Sequence, residues 1–311
     1  STKLDDIAMV RRSTDFRPVD YAARHLSLAA ALGFDATHIV STIGHVPLCL
    51  HGERHAQARK RIARLINEGA EDAMAVVETE VPKMLAQLHT PGHHNPMTEF
   101  VFPCVDRLIS ANTGLNICLP SDTLVSRLFS QTLGVAKRRR MNAELLALRD
   151  TIAAQRPELD HSDISDRIAL FILGVDALRG TVARSMKQLY EDGLHQMTAD
   201  MASAYPATAV PYVDSEATAA CPIGGINYPE GTNFRARLDQ FETCENQAHQ
   251  KRFFGFGAHS CLGRKLALAL WRTVVDSMRD HPANITVSDF RLRKDDVFAI
   301  PEVFEIEVVH D

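Results

Sequence analysis

Cys261 has the clearest chemical potential of any side chain in the sequence, because of the residues that flank it. The preceding segment FGFG, at 254–257, predicts a loop whose backbone comes close to a ligand. The following residues have helical periodicity, so the thiol would stand at a helix N-terminus, where the dipole and free N–H groups stabilise a thiolate. Gly263 leaves room for a flat ligand. This pattern predicts a rigidly held metal ligand; the alternative is a free cysteine buried in a turn.

A second segment, HGERHAQARKRIARLIN, could bind carboxylate groups. His55 and Arg59 are i,i+4 neighbours, and Ile62 and Ile66 extend the same helix face. Two cationic heads beside an apolar stripe suit carboxylates at the edge of a pocket. The alternative is an exposed helix with ordinary charge pairs.

The residues around Cys261 resemble the heme-binding loop of the cytochrome P-450 superfamily, F-G-x-G-x-H-x-C-L-G-x-x-L-A, over 254–267. The resemblance implies heme b as cofactor, with the Cys261 thiolate as proximal iron ligand that favours O–O cleavage at the open face. It also implies that His55, Arg59 and His259 hold the heme propionates and that Phe254 packs beside the sulfur. The cofactor-binding residues that it implies in the loop are Phe254, Gly255, His259, Cys261, Leu262, Gly263 and Ala267.

The segment 168–185 resembles the family's I helix, which crosses the distal face of the heme. Gly174 and Asp176 match the glycine and the acid of the family pattern, which makes Gly174 a cofactor contact and Asp176 a catalytic residue. Ala177 and Leu178 stand where the family has two threonines. In the family the threonine hydroxyl positions water while the acid relays protons, and a methyl group can do neither. Thr181 lies one turn away, about 6 Å by helix geometry.

The departures from the family pattern leave three functions open. The first is an atypical heme-thiolate monooxygenase that acts on a small organic molecule and is reduced by a ferredoxin-type partner. The second is a peroxide-using or redox-neutral heme-thiolate enzyme, which rearranges or dehydrates its substrate without activating dioxygen. The third is a non-catalytic heme-binding protein. The family's Glu-x-x-Arg pair is also missing, since 201–204 reads MASA, while IGGINYPEGT at 223–232 resembles the family's β-hairpin.

The elements that must position these residues are mostly helical, so the predicted fold class is mainly α with small β-sheets, a reduced cytochrome P-450-like fold in a single heme-thiolate domain over 1–311. A helix that begins at an N-cap, Ser162, is predicted to run to about Gly193. The run KRRR at 137–140 is predicted to be a solvated helix end or loop, and PGHHNP at 91–96 a solvated turn. The other predicted helices span 18–33, 53–68, 70–88, 98–113, 124–148 and 194–204, and strands are predicted within 285–309.

Composition excludes several other classes of protein. The 311 residues are 45% hydrophobic and 23% charged, which is typical of a globular chain, and the net charge of -5 argues against nucleic-acid binding. The apolar runs 26–34 and 168–175 are too short to span a membrane and are predicted to be buried helix segments. Six cysteines without a close pair indicate reduced thiols and a cytoplasmic protein. Lys251, Arg252, Arg264 and Lys265 flank Cys261 and could dock an acidic redox protein, and analogy with compact family members suggests bacterial secondary metabolism.

Overall fold

The computed structural model describes residues 4–13, 15–192, 205–242, 254–255, 257–280, 283–294 and 297–309. These residues form ten α-helices and eight β-strands. The predicted helix at 194–204, the MASA segment, Phe256, Lys251 and Arg252 lie outside them. The helices are α1 (Leu4–Arg12), α2 (Tyr21–Leu32), α3 (Thr37–Ile43), α4 (Gly52–Glu68), α5 (Ala70–Thr79), α6 (Val81–Leu88), α7 (Phe102–Thr113), α8 (Val135–Gln155), α9 (His161–Asp192) and α10 (Arg264–Asp280).

The long helix α9 runs through the middle of the molecule. It has 32 residues and is therefore about 48 Å long. The predicted N-cap, Ser162, is wrong. The N-cap is Asp160, whose carboxylate accepts the Asp163 N–H at 2.8 Å. A Cβ at Gly180 would lie 2.6 Å from Ala209 Cβ, so this glycine lets a second segment pass directly against the helix.

Three small antiparallel sheets surround the helices. Their strand orders are β1-β3-β6, β2-β8-β7 and β4-β5. Gly224 and Gly225, at φ +55° and +82°, form the two-residue turn of the β4-β5 hairpin, which confirms the hairpin predicted in this segment. The strands are β1 (Phe16–Pro18), β2 (Gly92–His94), β3 (Tyr212–Ala217), β4 (Cys221–Ile223), β5 (Ile226–Tyr228), β6 (Asn233–Arg237), β7 (Asn284–Leu292) and β8 (Pro301–Val309).

Two predicted helices are interrupted. The stretch 70–88 divides into α5 and α6, because Pro82 occupies the first turn of a new helix. The stretch 124–148 begins as a 3-10 turn at Val125–Phe129, and α8 starts only at Val135. Both breaks shorten the helices that helical periodicity alone predicts.

The prediction for the KRRR run is confirmed in part, because the run lies near the start of α8 and residues 137, 139 and 140 are exposed. Arg138 is instead buried and donates to the Leu133 carbonyl at 2.8 Å and to His25 Nδ1 at 3.0 Å. The segment PGHHNP is exposed at 91–93, as predicted, but it contains strand β2, which pairs with β8. The apolar run 26–34 is not buried, since Leu26 and Leu32 are about half exposed at 53% and 49%.

The core includes two large clusters, which contain the C-terminal and the N-terminal half of α9 respectively. One contains Trp271 and Leu270 from α10, and the other contains Met141 and Leu145 from α8. Leu178 packs against both, so α9 joins them. Within the described ranges, every helix falls short of the length and apolarity that a membrane crossing requires.

Candidate active site

A largely apolar cavity lies between α4, α9, the loop that precedes α10, and the segment 205–213. It holds about 1440 Å³ of empty space, including its open mouth. All ten predicted cofactor-binding residues line it, although they come from three separate parts of the sequence. They are His55, Arg59, Gly174, Phe254, Gly255, His259, Cys261, Leu262, Gly263 and Ala267.

Backbone hydrogen bonds fix the loop that carries Cys261. The Cys261 N–H donates to the Phe254 carbonyl at 2.7 Å, which closes the loop. Gly255 has φ +85°, and a Cβ there would lie 2.7 Å from the His259 carbonyl oxygen. Only glycine satisfies both conditions without strain. The glycine of the FG pattern before the cysteine is thus required by the backbone conformation of the loop.

The surroundings of the thiol favour its neutral form. Burial raises the pKa of Cys261, and the Gly263 N–H, the Arg59 charge and the Arg264 charge only partly offset that effect. The N–H groups at the helix terminus lower the pKa of Cys261, which is the predicted direction, but desolvation outweighs them in the protein without a bound metal ion. A bound metal ion deprotonates a coordinating thiol outright. The raised pKa of Cys261 is therefore compatible with a role as metal ligand.

Basic side chains of α4 meet the cysteine loop at the rim of the cavity. Arg59 Nη1 donates to the Ser260 carbonyl at 2.8 Å, which ties α4 to the residue before Cys261. Burial lowers the pKa of Arg59, and the Cys261 charge opposes that shift. The rings of His55 and His259 are 4.3 Å apart between centroids. The structure thus brings together the three residues predicted to hold carboxylates.

Helix α9 forms the opposite wall of the cavity. Gly174, Ala177, Leu178 and Thr181 line it on one helix face. A Cβ at Gly174 would lie 3.1 Å from Ile109 Cδ1, so a larger residue would press on α7. The predicted catalytic position Ala177 is therefore on the cavity wall, with a methyl group in place of a hydroxyl.

The other predicted catalytic residue, Asp176, does not line the cavity. Its buried carboxylate accepts a hydrogen bond from Ser126 and pairs with Arg293 at 3.2 Å and Arg179 at 3.7 Å. Arg179 also pairs with Asp106 at 2.6 Å. Burial raises the pKa of Asp106, although Arg179 opposes that effect. The acid is thus held in a buried ionic network behind α9.

An ion pair that sequence reasoning missed holds the wall formed by 205–213. The two terminal guanidinium nitrogens of Arg184, Nη1 and Nη2, donate to the Glu242 carboxylate at 2.9 and 3.2 Å. The same carboxylate accepts the Thr208 N–H at 2.6 Å, and Arg184 also donates to the Thr208 carbonyl. The pair links α9, the cavity wall and the segment after β6. No short-range pattern indicates it, because its partners are 58 residues apart.

The geometry of the cavity fits a flat, iron-containing ring. A Cβ at Gly263 would meet no atom within 4 Å, so the space beside the thiol is open. The thiol is a soft donor, and the walls are largely apolar. Arg59, His55 and His259 also line the cavity and could bind the carboxylate substituents of a porphyrin. Apart from this single thiol, no cluster of three His, Cys, Asp or Glu residues within the described ranges could hold a metal ion.

Structure comparison identifies the fold. The crystal structure of CalO2 matches 99% of this chain and 89% of its own, with a TM-score of 0.79 and 14% identity. The structure of the tirandamycin C-bound P450 monooxygenase TamI matches 98% and 88%, with a TM-score of 0.76 and 17% identity. The thermophilic cytochrome P450 from Sulfolobus tokodaii matches 100% and 94%, with a TM-score of 0.73 and 15% identity.

The chain therefore has the cytochrome P450 fold, in a mainly α form with small sheets, as the resemblance predicts. No family model and no curated protein matches its sequence. The chain thus shares the fold of these three structures at only 14–17% sequence identity.

Proposed function

We propose that this chain is a heme-thiolate oxidoreductase that acts on a small organic molecule, with Cys261 as proximal ligand of heme b. The observation that carries the proposal is the position of Cys261: a rigid loop presents it at the wall of an apolar cavity. Helix α9 faces it, and His55, Arg59 and His259 lie at the rim. The proposal treats 1–311 as one domain and the chain as cytoplasmic, with a role in secondary metabolism.

The chain's own residues would hold the cofactor in two ways. Cys261 supplies the iron ligand, and the Gly263 and Arg264 N–H groups hydrogen-bond its sulfur. Arg59 and the two histidines at the rim are placed to bind carboxylate groups. When bound, a thiolate-ligated heme supplies oxygen activation or O–O cleavage at its open face.

The α9 wall would orient the substrate and exclude water. Leu173, Gly174, Ala177 and Leu178 make this face apolar, which suits a substrate with a hydrocarbon skeleton. Asp176 could supply protons only by leaving its pairs with Arg293 and Arg179. This position makes a monooxygenase of this kind atypical.

A second candidate function follows from the same wall. With a methyl group at Ala177 and Asp176 in an ion network, the chain offers no acid–alcohol pair at the cavity among its described residues. A peroxide-using or redox-neutral enzyme needs no such pair, because its oxidant or substrate brings the bond that is cleaved. A non-catalytic heme-binding protein remains the third possibility.

The proximal surface bears on the redox partner. Arg264 and Lys265, next to Cys261, are both exposed and present positive charge on this side. Such a surface favours a small acidic protein of the ferredoxin type. Lys265→Glu should slow reduction by such a donor and leave reduction by dithionite unchanged.

Turnover distinguishes these functions. The heme-loaded protein is assayed against apolar ketones and hydrocarbons, once with NAD(P)H, reductase and ferredoxin and once with hydrogen peroxide alone. If the chain is a monooxygenase, product should form only with electron donors. Ala177→Thr should then raise the yield of product per NAD(P)H consumed. Product with peroxide alone supports the second candidate. Product by neither route, together with tight heme binding, contradicts both enzymes.

A further inference from the structure

Two threonines interrupt the apolar lining of the cavity. Thr181 belongs to α9 and Thr208 to the segment that crosses it, and both residues line the cavity. Each hydroxyl oxygen accepts a backbone N–H: Thr181 from Ala209 at 2.9 Å, and Thr208 from Val210 at 3.1 Å. The two hydroxyls are therefore anchored on consecutive residues of one segment.

These bonds leave the hydroxyl hydrogens available. A threonine hydroxyl has one donor hydrogen, and accepting an N–H does not use it. Thr113, by contrast, donates its hydrogen to the Ile109 carbonyl at 2.7 Å, the usual arrangement inside a helix. Neither Thr181 nor Thr208 makes such a donation to any residue that the structure describes. Both are more than nine-tenths buried, so an unused donor here is costly.

Other polar groups near this wall are already engaged. The Tyr205 hydroxyl donates to the Ala267 carbonyl at 2.7 Å, and the Asn112 amide donates to the Ile66 carbonyl at 3.0 Å. The Arg184 guanidinium beside Thr208 is paired with Glu242, and Arg59 donates to the Ser260 carbonyl. The two threonines therefore offer neutral hydrogen-bond donors beside a cation that is already neutralised.

We propose that Thr181 and Thr208 form a donor pair that binds a carbonyl oxygen of an otherwise apolar substrate. A carbonyl oxygen has two lone pairs and no hydrogen, so it can accept from both hydroxyls. A carboxylate would find the neighbouring cation, Arg184, already paired with Glu242. This inference rests on the proposed function for the use of the cavity as a substrate pocket. It names the substrate class and two residues that select it.

Matched pairs of ligands test the proposal by calorimetry on the heme-loaded protein. The probes are 4-phenylcyclohexanone with phenylcyclohexane, and 2-decanone with decane. The wild type should bind each ketone about 10-fold more tightly than its hydrocarbon, the equivalent of one good hydrogen bond. Thr181→Val and Thr208→Val should each remove most of that preference and leave hydrocarbon affinity unchanged. Thr181→Ser keeps the hydroxyl and should therefore keep the preference for the ketone. The control, Thr113→Val, should change neither the ketone affinity nor the hydrocarbon affinity.

The outcomes separate this inference from the proposed function. Equal affinity for ketone and hydrocarbon in the wild type, or no binding of either ketone, overturns the donor pair. A valine variant that weakens ketone and hydrocarbon alike also overturns it, because that result shows a structural role only. If Thr181→Val does not fold, the ligand affinities of Thr208→Val and Thr181→Ser still test the donor pair. A ketone preference that depends on the threonines, in a protein without thiolate-ligated heme, would leave the donor pair standing and refute the proposed function.

Discussion

Loss of the Glu242 carboxylate should destabilise the protein by about 2–4 kcal/mol. Glu242 accepts three hydrogen bonds, two from Arg184 and one from the Thr208 N–H. Breaking a fully buried ion pair costs about 3–5 kcal/mol, because it leaves an uncompensated charge. The two side chains are 22% and 16% exposed, so water recovers part of that cost in Glu242→Ala. Glu242→Gln keeps one acceptor, and we expect about half the loss.

The assay is urea unfolding, followed by far-ultraviolet circular dichroism and by the fluorescence of Trp271, the sole tryptophan in the sequence. Trp271 is fully buried and stacks on Tyr205 at 4.8 Å, so its emission reports loss of the core behind the cavity. The control is Glu191→Ala, which breaks the more exposed pair with Lys187 and should cost less than about 0.5 kcal/mol. A loss below about 1 kcal/mol in Glu242→Ala would refute the view that this pair holds the cavity wall.

Two further predictions concern the cysteine loop and pH. Gly255→Ala should lower heme affinity and cost about 1–3 kcal/mol, because φ is +85° and the added Cβ would lie 2.7 Å from a carbonyl oxygen. Gly134→Ala, which meets no atom within 4 Å, should be nearly neutral; equal effects in hemin titration and urea unfolding would contradict the argument. Burial lowers the pKa of His25 below 6.5, so the unfolded chain binds a proton there that the folded chain does not. Stability should therefore fall as pH drops below 6.5, by up to about 1.4 kcal/mol per pH unit, and His25→Gln should lose this contribution. Identical pH profiles of the free energy of unfolding in both proteins would disprove it.

The features that sequence analysis predicted correctly are those set by local spacing. The i,i+4 relation of His55 and Arg59 follows from helix geometry, and so does their position beside Ile62 on the cavity. The conformation of the cysteine loop requires a glycine at positive φ, and the sequence has glycine at that position, Gly255. The helix α9 extends over His161–Asp192, within two residues of its predicted ends, because apolar residues such as Ile168, Ile172 and Val175 recur at helical spacing.

The features that sequence analysis missed depend on partners far apart in the chain. Asp176 matches a family acid, but its orientation is set by Ser126 and Arg293, which are 50 and 117 residues away. Arg138 reads as a solvated charge, yet it is buried against loop carbonyls and His25. Thr208 carries no sequence signal at all, since only the fold places it on the cavity.

The absorption spectrum of the reduced, carbon-monoxide-bound protein tests the central claim most directly. Wild-type protein loaded with hemin should show the long-wavelength Soret band of a thiolate-ligated heme. Cys261→Ser should lose that band, and Cys118→Ser, which removes an exposed thiol elsewhere in the chain, should keep it. A wild-type spectrum with only nitrogen-type axial ligation, or a band that survives in Cys261→Ser, would contradict the account.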